Sequence, residues 1–140
     1  MLALTATMGV GLVGLASPAS AGTNPVPFKA SASGTITYGL FSLTYAGTGN
    51  ASHMGTISDQ SSAGALDYTE TLTAANGDTL TLFDIQTIVS SAGPGMAVLT
   101  GQWSVIGGTG RFTGATGSGT TDVVNDVNSF TQTWHGAISY

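Results

Sequence analysis

The sequence predicts an all-β protein, an eight-stranded antiparallel barrel or, as the alternative, a sandwich. Three observations carry this. Beyond residue 22 no stretch of ten residues shows an apolar stripe at helical spacing, whereas alternation with period two recurs along the chain. Thr and Gly, both poor helix formers, interrupt every candidate helix. Turn signals separate the alternating runs at short intervals, the spacing of a sandwich or barrel.

The elements follow in order. Residues 2–15 (LALTATMGVGLVGL) are an apolar run without a preceding Lys or Arg, and Ala19-Ser20-Ala21 matches the small-x-small rule of a cleaved secretory leader. We therefore expect a signal peptide over 1–21, a secreted protein and a single domain over 22–140. Without Cys, that domain has neither disulfides nor a lipid-anchored thiol, and its stability must come from sheet pairing and packing.

A first strand is expected near 28–38, with Phe28, Ala30, Ala32, Gly34, Ile36 and Tyr38 on one face and Lys29, Ser31, Ser33, Thr35 and Thr37 on the other. A second, near 41–46, alternates Phe41, Leu43 and Tyr45 with Ser42 and Thr44, and Gly47-Thr48-Gly49-Asn50 reads as the turn after it. A short third strand follows near 53–58. The fourth, 66–74, sets Leu66, Tyr68, Glu70 and Leu72 against Asp67, Thr69, Thr71 and Thr73. Ala75-Asn76-Gly77-Asp78 then signals a hairpin, because Asn-Gly tolerates positive φ. The fifth, 79–89, breaks phase: Leu80 and Leu82 point one way, Phe83, Ile85 and Val89 the other. Either a bulge lies at Leu82-Phe83 or both faces of this strand are covered. After the turn Ser91–Gly95, the sixth strand (96–106) opposes Leu99, Trp103 and Val105 to Thr100, Gln102 and Ser104. The seventh and eighth, 115–123 and 128–139, end the chain, the last with Phe130, Trp134, Ile138 and Tyr140 on one face. Thr-x-Thr recurs without a fixed period, so a repetitive solenoid is not indicated.

Charge narrows the function. Only 6% of residues are charged, against about 25% in an average soluble domain, and the net charge is −5 with two cations, Lys29 and Arg111. A nucleic-acid groove or an anionic-membrane patch needs more positive charge than this. Hydropathy is too high for disorder. Two His, His53 and His135, with scattered Asp give no metal-ligand spacing, and no G-x-S-x-G elbow is present. Asp122, Asn125, Asp126 and Asn128 crowd one segment, but turn formation accounts for them without calcium. No metal or cofactor is expected.

The segment Gly107-Gly108-Thr109-Gly110-Arg111-Phe112-Thr113-Gly114-Ala115-Thr116-Gly117 lacks the spacing, the Lys and the following helix of a phosphate loop. It reads as a tight turn in which Phe112 plugs one barrel end and Gly107, Gly108, Gly110 and Gly114 give the backbone room. The same string resembles the Gly-Gly-Thr-Gly-x-Phe-x-Gly-Ala-x-Gly signature of the allene oxide cyclase and dirigent barrels. Gly49–Gly55 and Thr73–Asp78 are more weakly similar to bacterial secreted members with that barrel. The resemblance implies an eight-stranded antiparallel barrel, often oligomeric, whose lumen opens at one end. In the plant relatives such a lumen steers cyclisation or radical coupling of small apolar molecules without a cofactor. No full catalytic set of those enzymes is found in this chain.

From the residues themselves, Glu70 is the candidate catalytic group. It is the only Glu, on an apolar face, where desolvation raises a carboxyl pKa toward acid–base usefulness. Alternatively it pairs structurally with Arg111 or Lys29, or that face is the outside. Tyr38, Tyr45, Tyr68, Trp103 and Trp134 are the expected lining of a ligand-binding lumen. Three functional classes follow, the first two being a module that binds a small hydrophobic molecule and a cofactor-free cyclase or isomerase. A structural surface protein is the third.

Overall fold

The computed structural model describes residues 24–64 and 66–140; the expected leader and its cleavage site lie outside them. The eight strands are β1 (Val26–Tyr38), β2 (Leu43–Ala51), β3 (Gly55–Ala63), β4 (Asp67–Ala74), β5 (Thr79–Gly93), β6 (Met96–Gly108), β7 (Thr116–Asp126) and β8 (Ser129–Ser139). Each pairs antiparallel with the next, and β8 returns to β1 to close the barrel. Of the two architectures expected from the sequence, the barrel is the one formed. Closure leaves no sheet edge unpaired.

Alternation decides what the barrel encloses. Phe28, Ala30, Ala32 and Ile36 of β1 point inward and are buried, as do Leu80 and Leu82 of β5 and Phe130, Trp134 and Ile138 of β8. Their Ser, Thr and Lys neighbours face out. This polarity is the reverse of a membrane-spanning barrel, which carries its apolar band outside. Among the described residues no helix is long and apolar enough to cross a membrane.

Three expectations from the sequence are corrected. The segment Gly47–Asn50 is not a turn but lies within β2, paired with β1 from Ser31 to Gly34, and the chain reverses instead at Ser52–Met54. Gly47 and Gly49 face inward, and a Cβ at Gly47 would lie 2.9 Å from Phe130 Cζ. The glycines there serve packing, not turning. In β5 the inward phase runs unbroken through Leu80, Leu82, Asp84 and Gln86, so no bulge falls at Leu82-Phe83. The bulged residue is Ile106 of β6, and two more follow at Val89 and Ala92 of β5. Nor are both faces of β5 covered, because Ile85 on its outer face is 59% exposed. Finally, β2 begins at Leu43, which leaves Leu40 and Phe41 in an exposed loop.

The two ends differ. One holds the turns after β2, β4 and β6 and is plugged by Phe112, carried on a 3-10 turn (Gly110–Phe112) and fully buried, as the glycine-rich motif predicts. Gly110 and Gly114 adopt φ of 60° and 76°, the region that favours glycine. Arg111 stacks over the Phe112 ring (5.0 Å) and lies 3.6 Å from Asp78. The other end holds the turns after β1, β3, β5 and β7 and forms an open mouth.

Candidate functional site

Inside the barrel, two apolar clusters are stacked along the axis. The larger, with Phe28, Leu72, Leu80, Trp103, Phe112 and Trp134, fills the plugged end. The smaller, Ile36, Tyr45, Tyr68 and Phe130, lies toward the mouth. Alongside them the lumen holds a group of buried polar side chains: Asp59, Ser61, Glu70, Asp84, Gln86, Thr121 and Gln132. Seven buried polar groups in so small an interior are costly unless they are hydrogen-bonded.

Glu70 is fully satisfied. Its Oε1 accepts from Gln132 Nε2 (2.6 Å) and its Oε2 from Trp134 Nε1 (2.7 Å). The donors sit on β8 and the acceptor on β4, so these bonds span the lumen. Gln132 Nε2 also donates to Thr121 Oγ1 (3.0 Å) on β7 and lies 3.5 Å from Asp84 Oδ2, which accepts from Gln86 Nε2 (2.8 Å). Burial, and then the nearby Asp59 and Asp84, hold the Glu70 carboxyl well above the usual carboxylate range despite its two donors. Neither Arg111 nor Lys29 pairs with it: Arg111 meets Asp78 at the plugged end, and the Lys29 side chain is exposed on the outer face.

Two further acids escape sequence reasoning. Asp59 of β3 is 0% exposed and neither of its oxygens has a protein partner. Burial pushes its carboxyl from 3.8 up to about 7. Asp84 is equally inaccessible, with Oδ1 unpartnered, and burial raises it to about 6 against the opposing bond from Gln86. The one signal is parity, weak because the neighbouring residues mask it: Asp84 and Gln86 continue the phase of Leu80 and Leu82, and Asp59 and Ser61 that of Ile57. Ser61 Oγ and Gln86 Oε1 are also buried without protein partners.

At the mouth a pocket of about 380 Å³ is lined by Tyr38, Tyr45, Tyr68, Ile88, Met96 and Leu99, with others. Tyr45 and Tyr68 meet edge-on at 5.6 Å, and Tyr45 packs likewise against Phe130 at 5.1 Å. Asn125 Nδ2 donates to Tyr45 Oη (3.0 Å). Across the strands Tyr45 stands beside Ser61, and Tyr68 beside Asp84. These two rings therefore separate the pocket from the acids. Burial is the main cause that raises both phenol pKa values.

No protein-family model, curated protein or solved structure matches the chain.

The five aromatic residues expected to line a lumen thus divide. Tyr38, Tyr45 and Tyr68 meet at the mouth, Tyr38 as a half-exposed rim residue whose hydroxyl donates to the Val127 carbonyl (2.6 Å). Trp103 and Trp134 do not reach it. Trp103 packs edge-on to Phe28 at 5.6 Å and donates to the Thr120 carbonyl (3.0 Å), while Trp134 is committed to Glu70. Both fill the barrel rather than wall an open cavity. His53 caps the plugged end, with Nε2 2.9 Å from the Pro27 carbonyl oxygen. The Asx-rich segment is parted by alternation: Asn125 turns inward to Tyr45 and Asp122 is exposed on the opposite face, so the two cannot share a cation.

Proposed function

We propose that this barrel binds a small, largely apolar molecule in its mouth. The observation that carries this is the mouth pocket itself: a concave site with an aromatic floor, set among exposed apolar rim residues such as Leu40, Phe41, Ile88 and Val89. Polar groups beneath the floor supply the few directional contacts that orient a ligand. The leader-like apolar run and Ala19-Ser20-Ala21 support the same role outside the cell, and the glycine-rich motif supports kinship with the allene oxide cyclase and dirigent barrels. Adding n-octanol to isotopically labelled protein tests the reading. Amide shifts confined to the β5–β6 rim and to Tyr45 and Tyr68 are expected. Shifts spread over the outer face, or none at millimolar octanol, refute it.

One observation favours a second reading, a cofactor-free isomerase or cyclase: Asp59 and Asp84 are buried carboxyls with oxygens that no protein group engages, and burial raises both toward neutrality, where a carboxyl both gives and takes a proton effectively. In that case the acid–base group is Asp59 or Asp84, since both oxygens of Glu70 are engaged.

A further inference from the structure

The buried polar group is unbalanced in one direction. Six buried side-chain atoms lack a protein partner: both oxygens of Asp59, Asp84 Oδ1, Gln86 Oε1, Asn125 Oδ1 and Ser61 Oγ. Five are acceptors once the carboxyls are ionised, given the amide orientations, and the sixth is a hydroxyl that also accepts. No buried side-chain N–H is left over among the described residues. Three of the six, on Gln86 (2% exposed), Ser61 (6%) and Asn125, belong to neutral side chains, so the imbalance is not merely one of charge. The chain's cations are remote: Arg111 sits at the plugged end and Lys29 on the outer face near Ser52. What complements these atoms is a donor-rich, positively charged group.

Resting on the mouth-binding reading, we propose that the ligand is an amphipathic amine, its apolar body in the mouth pocket and its ammonium among Asp59, Ser61, Asp84 and Gln86. An ammonium brings three donors and one positive charge, and charge-assisted bonds to carboxylates are about twice as strong as neutral ones. The path is short. Asn125 lines the pocket, and Tyr45 and Tyr68 stand directly beside Ser61 and Asp84. Binding requires one of these two rings to swing aside. Octanoate, with the same chain and an opposite charge, is excluded by the same groups.

Isothermal titration with n-octylamine, n-octanol and sodium octanoate at pH 7.5 tests this. Octylamine binds at least about tenfold tighter than octanol, a factor equal to one good charge-assisted bond, and octanoate does not bind. In the D59N/D84N double variant the amine falls to within about threefold of the alcohol measured on that same variant. Should that variant not fold, the carboxyl ¹³C shifts of Asp59 and Asp84 in the natural protein decide: they move with octylamine and not with octanol. Equal binding of amine and alcohol to the natural protein, or unmoved carboxyl shifts, overturns the amine and leaves the mouth reading standing. If no probe binds, both fall.

Discussion

Replacing Asp59 by Asn makes the barrel more stable at alkaline pH and leaves it nearly unchanged in acid. The Asp59 carboxyl lies at about 7 in the folded protein against 3.8 when exposed, because burial without a partner disfavours its charge. Between those values the folded chain holds a proton that the unfolded chain has released. Stability is therefore greatest below about pH 4 and declines as pH rises through 7. At 1.36 kcal/mol per pKa unit, a rise of about three units amounts to roughly 4 kcal/mol lost by pH 8–9. Asn is isosteric and cannot ionise, so D59N escapes this loss. Its amide is left as poorly partnered as the protonated acid, which keeps the acid-side difference within about 1 kcal/mol. Urea unfolding, followed by the fluorescence of Trp103 and Trp134 at pH 4, 6 and 8, measures the gap. It should open from near zero to about 2–4 kcal/mol in favour of the variant. A constant gap across pH, or a variant less stable at pH 8, refutes the assignment of Asp59 as a buried, unpaired acid. Part of the natural protein's slope persists in D59N, because Asp84 is also raised, to about 6.

Other substitutions probe separate parts of the barrel. Gln132→Leu leaves Glu70 Oε1 without its donor and should cost about 1–3 kcal/mol by denaturant unfolding at pH 5. Gly136→Ala places a Cβ against the Ser118 carbonyl oxygen and 2.6 Å from Trp103 Cζ2; overpacking of about 1–3 kcal/mol and a shifted Trp103 emission are expected, and unchanged stability would show that both the β7 backbone and the indole give way. Phe112→Ala removes the plug and should lower stability by about 3–5 kcal/mol in thermal unfolding. Arg111→Ala, at a pair that is substantially exposed, should alter it by less than about 1 kcal/mol.

Much of the fold was legible because inward and outward positions alternate strictly in a barrel, and Thr and Ser mark the outer face. Phe28, Leu80, Trp103 and Ile138 announce the core by parity alone. The glycines were harder to place. Gly47 and Gly49 look like a turn in sequence, yet they make room for Phe130 and the backbone of β1, a need that arises only once β8 has closed on β1. Glu70 was legible as an inward acid because Tyr68 and Leu72 flank it. Asp59 and Asp84 were not, since polar residues surround the first and the Phe83 and Ile85 side chains obscured the phase of the second. Nor does sequence show that Trp134, a plausible ligand wall, is a hydrogen-bond donor to a carboxyl 64 positions away.

The cross-lumen bonds of Glu70 bear on how the chain folds. Every strand pairs with its neighbour in sequence except β1 with β8, so seven of the eight ladders can zip locally as hairpins. The closing ladder, which brings Val26 to Ile138, is the only one that must gather distant segments, and its loop entropy makes it the natural slow step. Glu70 on β4 receives Gln132 and Trp134 only when β8 arrives. Until then its carboxylate is free to stay hydrated and charged, and it then exchanges water for two protein donors as the sheet shuts. The internal acids thus tie closure to proton uptake, and stopped-flow refolding followed by Trp fluorescence should slow as the solution becomes more alkaline.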